Sequence, residues 1–223
     1  MDFDIFEKIG ESQIFRGEYN GMLCVIKIDD KIYNEVNALK ILKHENIIKL
    51  LHYQEDDKKL YTLLEYFPSK NLYSWKHSYM TEDVSTLMLQ ICQTVKYIHS
   101  NDYIHGNLSA INILIDNNKH VKIIDFKSSK KSGDENYIHG TTSYLSPEML
   151  QGGATTIQSD LWALGVTLFF LITGNFPFSG NTDKTVNERI IHRKPKYKKY
   201  NMDKTYKKQI KRLLKRNPKN RSL

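Results

Sequence analysis

Residues 161–172, LWALGVTLFFLI, carry no charge and are apolar on every side of a helix. A helix of that composition has no face to give to water, so other elements must surround it. Twelve residues are also too few to cross a bilayer, which takes about 20. The run therefore predicts a buried helix at the centre of a helical layer, entered near Asp160. At 223 residues the chain makes one large domain or two small ones, with a sizeable core.

The segments before that helix have a different character. Residues 3–9, 14–17 and 22–28 are short and β-prone, and Asn20-Gly21 between the last two is a hairpin signal. Val36, Leu39, Ile41 and Leu42 follow at helical spacing. Two further strands are predicted over 47–53 and 60–66, joined by a polar turn over 55–58, and residues 68–71 read as a linker. Beyond it a helix is expected over 84–99, with Val84, Leu87, Met88, Ile91, Val95 and Ile98 on one face. A strand-turn-strand covers 111–124, residues 127–140 read as a loop, and Pro147 and Glu148 open a second helical region. The order is a small β lobe with one helix, residues 1–66, then a larger helical lobe, residues 67–223, in one α+β domain.

Charge divides the chain unevenly. Between 189 and 221 stand fifteen Lys and Arg against one acid, Asp203, so this tail carries +14 of a net +8, and residues 1–188 carry −6. Tyr206, Ile210, Leu213 and Leu214 recur there at helical spacing, which fits a helix with a wet basic face. The same block is a candidate docking surface for an acidic partner. No aromatic-rich RNA-reading motif accompanies it, so nucleic acid is the less favoured partner. Two cysteines, Cys24 and Cys92, exclude a disulfide framework and an all-Cys zinc site. They read as buried thiols in a reducing compartment. The acidic start, with Asp2 and Asp4 flanking Phe3, is not a secretory signal. An intracellular protein, cytoplasmic or nuclear, is expected, with no membrane role.

Four segments in order resemble the eukaryotic protein kinase family: Val25-Ile26-Lys27, the run from His105 and Gly106 through Asn107 to Asn112, Asp125-Phe126-Lys127, and Ser146-Pro147-Glu148. Gly140-Thr141 before Tyr144, the Asp160 to Gly165 segment, Thr173-Gly174 with Pro177-Phe178, and Asn217-Pro218 with Arg221 extend the match over residues 9–221. Thr141 favours Ser/Thr over Tyr ancestry. The resemblance implies a two-lobed kinase fold, trimmed at helix C and ending near the start of the last helix. It makes Lys27 the phosphate-contacting lysine and Glu35 its partner on helix C. It places Ile14, Val25, Glu65 and Leu114 around the nucleotide, and Asn112 and Asp125 on Mg²⁺. Val25 is larger than the alanine the family often has over the adenine ring. Leu39, Leu50, His105 and Phe126 resemble the stacked residues that join the lobes, with Asp160 their anchor, and Glu148 and Arg221 resemble a supporting ion pair.

Other positions depart from the pattern. Between Ile9-Gly10 and Gly17 the phosphate-covering loop is about three residues short by the resemblance, with Glu11-Ser12-Gln13 in place of further glycines. Asn107 stands at the catalytic-base position; an amide cannot take the substrate proton, a loss of about 10²–10⁴ in rate. Ser109 replaces the lysine near the transferring phosphoryl group. Gly106 replaces the arginine that pairs with an activation-loop phosphate. Lys127 replaces the glycine after Phe126; its ammonium either turns inward and competes with magnesium or points to solvent. These changes predict an inactive Ser/Thr kinase that works by binding a protein, such as an active kinase or a kinase substrate, with ATP and Mg²⁺ binding weakened or lost. A weak or atypical Ser/Thr kinase using Lys27, Glu35, Asn112 and Asp125 is the alternative, and an anionic-polymer binder a third.

Overall fold

A computed structural model describes residues 3–9, 12–75, 81–134 and 141–223. Strands β1 (Phe3–Lys8), β2 (Ile14–Tyr19) and β3 (Met22–Asp29) are antiparallel neighbours. Asn20 and Gly21 take left-handed backbone, φ 52° and 76°, as a two-residue turn matched to strand twist requires. Within β2, a Cβ added to Gly17 would stand 2.1 Å from the Asp4 carbonyl oxygen, so only glycine lets β1 approach there. Helix α1 (Asn34–Ile41) follows, then β4 (Leu50–Glu55) and β5 (Leu60–Glu65), which complete a five-stranded sheet of order β1-β2-β3-β5-β4. The expected strand at 47–53 starts only at Leu50. Ile47 instead makes an isolated parallel bridge to Ile123, a long-range pairing that local alternation does not encode.

The chain then turns mainly helical. The expected linker at 68–71 holds a short strand, β6 (Lys70–Asn71), followed by α2 (Leu72–Trp75) and the long α3 (Thr81–Ser100). All six residues predicted for the apolar face of α3 are buried. Short strands β7 (Tyr103–Ile104), β8 (Ile113–Ile115) and β9 (Val121–Ile123) follow, β6 pairing with β8 and β8 with β9. The segment read as a loop after residue 127 contains β10 (Lys130–Lys131), which pairs with β7. Gly10, Glu11 and Gly140 lie outside the described residues.

Helices α4 (Pro147–Leu150), α5 (Ile157–Thr173), α6 (Asp183–His192) and α7 (Lys204–Leu213) complete the larger lobe. The charge-free run lies within α5, which is buried from Ser159 through Leu171. Thr156 and Ser159 close a capping box at its start, and Gly174, φ 64°, ends it in the left-handed conformation. Trp162, Leu168, Phe169, Phe170 and Leu171 are each at most 1% exposed, and burial of each such side chain contributes about 1.5–3 kcal/mol. One core joins α1 of the small lobe to α3 and α5 of the large one, while Phe3, Cys24, Ile26, Tyr61 and Leu63 form a second cluster on the sheet. Among the described residues no helix is long and apolar enough to cross a membrane.

Candidate functional site

Alternation along β3 buries Cys24 and Ile26 completely on one face and turns Val25 and Lys27 to the other. Lys27 Nζ donates to Glu35 Oε1 and Oε2, at 2.8 and 2.9 Å, and to Asp125 Oδ1 at 3.3 Å. Burial alone would lower the Lys27 pKa, but the Glu35 and Asp125 carboxylates outweigh it and raise the pKa above its ordinary value. Lys27 is therefore charged at neutral pH. Glu35, in the first turn of α1 and 4% exposed, also accepts the Phe126 N–H at 3.0 Å. This one carboxylate ties β3, α1 and the segment after β9 together.

Asp125 has left-handed backbone, φ 66°, unusual for a non-glycine residue. Its Oδ2 accepts from Asn107 Nδ2 at 2.9 Å, with Asn112 Nδ2 at 3.5 Å. An ionised carboxylate only accepts, which fixes the nitrogen of each amide toward it. Burial works to raise the Asp125 pKa, and the Lys27 charge beside it brings the net shift below the ordinary value. Asn112 Nδ2 also donates to the Asn107 carbonyl at 2.9 Å. A cavity of about 810 Å³ opens on this group, lined by Tyr33, Asn34, Asn107, Asp125, Lys127 and Ser128 among others.

The donor set suits a hard dication. The carboxylate of Asp125 and the amide oxygen of Asn112 are the oxygen ligands that magnesium takes, and Asp125 keeps 29% of its side chain exposed. Lys127 does not intrude. Its Nζ pairs with Asp29 Oδ1 at 2.5 Å, at the end of β3, while its carbonyl accepts from Asn34 Nδ2 at 3.2 Å. Lys127 keeps 45% of its side chain exposed, so it follows the solvent-pointing placement, held there by Asp29.

The remaining positions separate by environment. Ser109 is 3% exposed and brings no cation to the catalytic loop. Gly106 has φ 77°, and a Cβ there would stand 2.6 Å from the Ser128 carbonyl oxygen; the segment after Asp125 thus lies directly on the catalytic loop. Ile14 pairs with Lys27 across β2 and β3, and Val25 with Leu64 across β3 and β5. Ile14, Val25 and Leu114 are half-buried. Glu65 turns its carboxylate to Lys122 Nζ, 2.6 Å away, and to the Lys49 N–H at 2.8 Å, and its own N–H donates to the Lys49 carbonyl at 3.0 Å. Lys27, Glu35, Asn107, Asn112 and Asp125 thus form one bonded group, with Ile14, Val25, Glu65, Leu114 and Ser109 outside it.

Behind the group, the His105 and Phe126 rings meet at 4.7 Å and both are fully buried with Leu39 at 1%, while Leu50 packs half-buried on the same core. Asp160 accepts the N–H groups of His105 and Gly106 at 2.8 and 3.0 Å, and pairs with His99 at 3.0 Å. Burial drives the His105 pKa below its ordinary value, which keeps the ring neutral. Arg221, its side chain 0% exposed, binds both oxygens of Glu148 at 2.5 and 2.7 Å, and donates to the carbonyls of Gln158, Lys215 and Arg216. Tyr144 accepts the Ala110 N–H through its hydroxyl oxygen at 3.1 Å. Sequence reasoning missed His99, Asp29 and Asn34. His99 sits in the last turn of α3, a signal that was available; the other two are polar residues whose partners lie far along the chain.

The protein kinase domain family matches residues 24–222. Over 192 residues the chain is 32% identical to maternal embryonic leucine zipper kinase of Xenopus laevis, covering 78% of this chain and 30% of that protein. The chain thus spans under a third of that relative's length.

Proposed function

The chain belongs to the protein kinase family, and we propose that within it the protein is a pseudokinase, which keeps the kinase scaffold to bind another protein and transfers little or no phosphate. One observation carries this reading: the residue at the base position is Asn107, and its amide donates to Asp125 Oδ2 at 2.9 Å. A carboxylate there would accept the proton of a substrate hydroxyl; an amide turned toward Asp125 has no basic atom to offer. The buried Ser109 and a segment before Ile14 that is short in sequence beside the family's act in the same direction, removing a cation and a lid from the phosphate region.

Nucleotide binding is a separate matter. Asp125 and Asn112 would hold Mg²⁺ through their oxygens, and Lys27, oriented by Glu35, would meet the phosphates. Bound Mg-ATP would supply the transferable phosphoryl group and the cation that neutralises its charge. Lys27 enters that task charged, and Asp125 enters it ionised. The closed Lys27–Glu35 pair at 2.8 Å is the specific observation that favours a second reading, a weak Ser/Thr protein kinase working by positioning alone. The test is phosphate transfer from Mg-ATP to the protein itself and to a generic basic protein, beside a Lys27→Ala control. Equal background in both supports the pseudokinase; incorporation that the control abolishes makes the protein an enzyme.

A further inference from the structure

Folding turns the charged tail into a shaped surface. Between 193 and 219 stand ten lysines and three arginines. Twelve of the thirteen are exposed and Lys207 is half-buried. Among the described residues none of them pairs with an Asp or Glu side chain.

Lys204, Lys207, Lys208 and Lys211 fall at helical spacing on α7, and Lys215 continues the row past its end. All five line one hollow. Like charges three and four residues apart repel along a helix, so the row works against the helix that carries it. A solvated face would be served better by mixed charge. Lys207, Lys211 and Lys215 also form one wall of a groove of about 1020 Å³, whose other wall is the strap 193–199. The floor is apolar: Trp162 and Phe178 stack at 5.7 Å, with Leu214 beside them. Lys211 Nζ lies 5.4 Å from the centre of the Tyr197 ring, which joins the two walls. The Trp162 indole N–H, buried beneath the groove, has no acceptor among the described residues.

We propose that this groove docks an acidic, extended protein segment, its carboxylates on the lysine walls and its apolar side chains against the half-buried Pro195 and Tyr197 and the lysine stems, since Trp162 and Phe178 beneath are almost fully buried. The proposal deepens the partner-binding reading and rests on it for the existence of a partner. A nucleic acid fits less well. Bases need free aromatic faces to stack on, and here Trp162 and Phe178 are 1% and 4% exposed. Lysines also outnumber the bidentate arginines that phosphate recognition favours.

The probe is a fluorescent glutamate-rich peptide carrying two leucines, titrated with the whole protein. Binding is expected in wild type, weakened by salt. It should fall at least about tenfold, or about 1.4 kcal/mol, in the triple variant Lys207→Glu, Lys211→Glu, Lys215→Glu. A Lys194→Ser, Lys196→Ser, Lys198→Ser variant tests the opposite wall with a milder change, and thermal midpoints no lower than that of wild type show that both variants are folded. A homopolymeric oligothymidylate or phosphatidylserine vesicles bound more tightly than the peptide would overturn the proposal. So would peptide binding indifferent to both variants, or self-association of wild type that charge reversal abolishes. Phosphate transfer is read on the same samples: transfer by wild type contradicts the pseudokinase and leaves the groove untouched, while absence of peptide binding does the reverse.

Discussion

His105 and Asn107 are two residues apart on one loop, yet they answer to different demands. His105 is fully buried, packed on Phe126 and anchored through its backbone to Asp160; changing it would open the core. Asn107 faces the cleft and bonds Asp125, and replacing a carboxylate by an amide there costs the fold nothing in packing. The same contrast separates Glu148 and Arg221, an intact bidentate pair, from Ser109, a shortened stand-in for a cation. Positions that join elements resemble the family's residues, as do Lys27, Asn112 and Asp125, while Asn107 and Ser109 on the 105–112 loop do not. Scaffold and chemistry thus make separable demands on neighbouring side chains.

Breaking the scaffold side should have the largest effect. Arg221→Ala strands Glu148 and three carbonyl groups, and should cost about 3–5 kcal/mol in denaturant unfolding. On the cleft side, Asn107→Asp sets two carboxylates against each other and removes a bond to a charged acceptor. It should lower stability by about 1.5–3 kcal/mol at neutral pH, with added Mg²⁺ restoring more in the variant than in wild type. Gly106→Ala sharpens the contrast, since a side chain at φ 77° meets Ser128; about 1–3 kcal/mol is expected, measured by the same unfolding. A tolerated alanine would mean that the loop and the following segment are not in contact.

Acid should loosen the scaffold before alkali does. The buried His105 has a pKa below its ordinary 6.5, so the unfolded chain takes up a proton that the folded one refuses, and stability falls as pH drops under 6.5. Asp125 and Glu148 are lowered from 3.8 and 4.5; burial raises both, but Lys27 and Arg221 prevail. Their contribution is complete above those values and is lost as pH falls through the folded ones. Lys27 is raised from 10.5, so its contribution holds below that value and fades above it. The thermal midpoint against pH should therefore decline on the acid side from about pH 6.5. Smallest of all, Lys127→Ala removes a partly exposed pair with Asp29 and should change stability by at most about 1 kcal/mol, measured by thermal unfolding.

Much of the fold was legible because its signals are local. The Asn20-Gly21 turn, the buried face of α3 and the all-apolar α5 each follow from a few adjacent residues. Strands β6 and β10 were not, since two-residue strands have no period and are defined by partners far along the chain. In the site, the bonded group around Asp125 was named through the family resemblance. The Asp29 and Asn34 contacts to Lys127 were not, because nothing in the spacing of 29, 34 and 127 announces them.

The most direct measurement is single-turnover phosphate transfer from saturating Mg-ATP by wild type beside Asn107→Asp. No transfer by wild type above background is expected. Transfer by wild type at a rate equal to that of Asn107→Asp, or faster, would contradict it and place catalysis in residues other than a base at position 107.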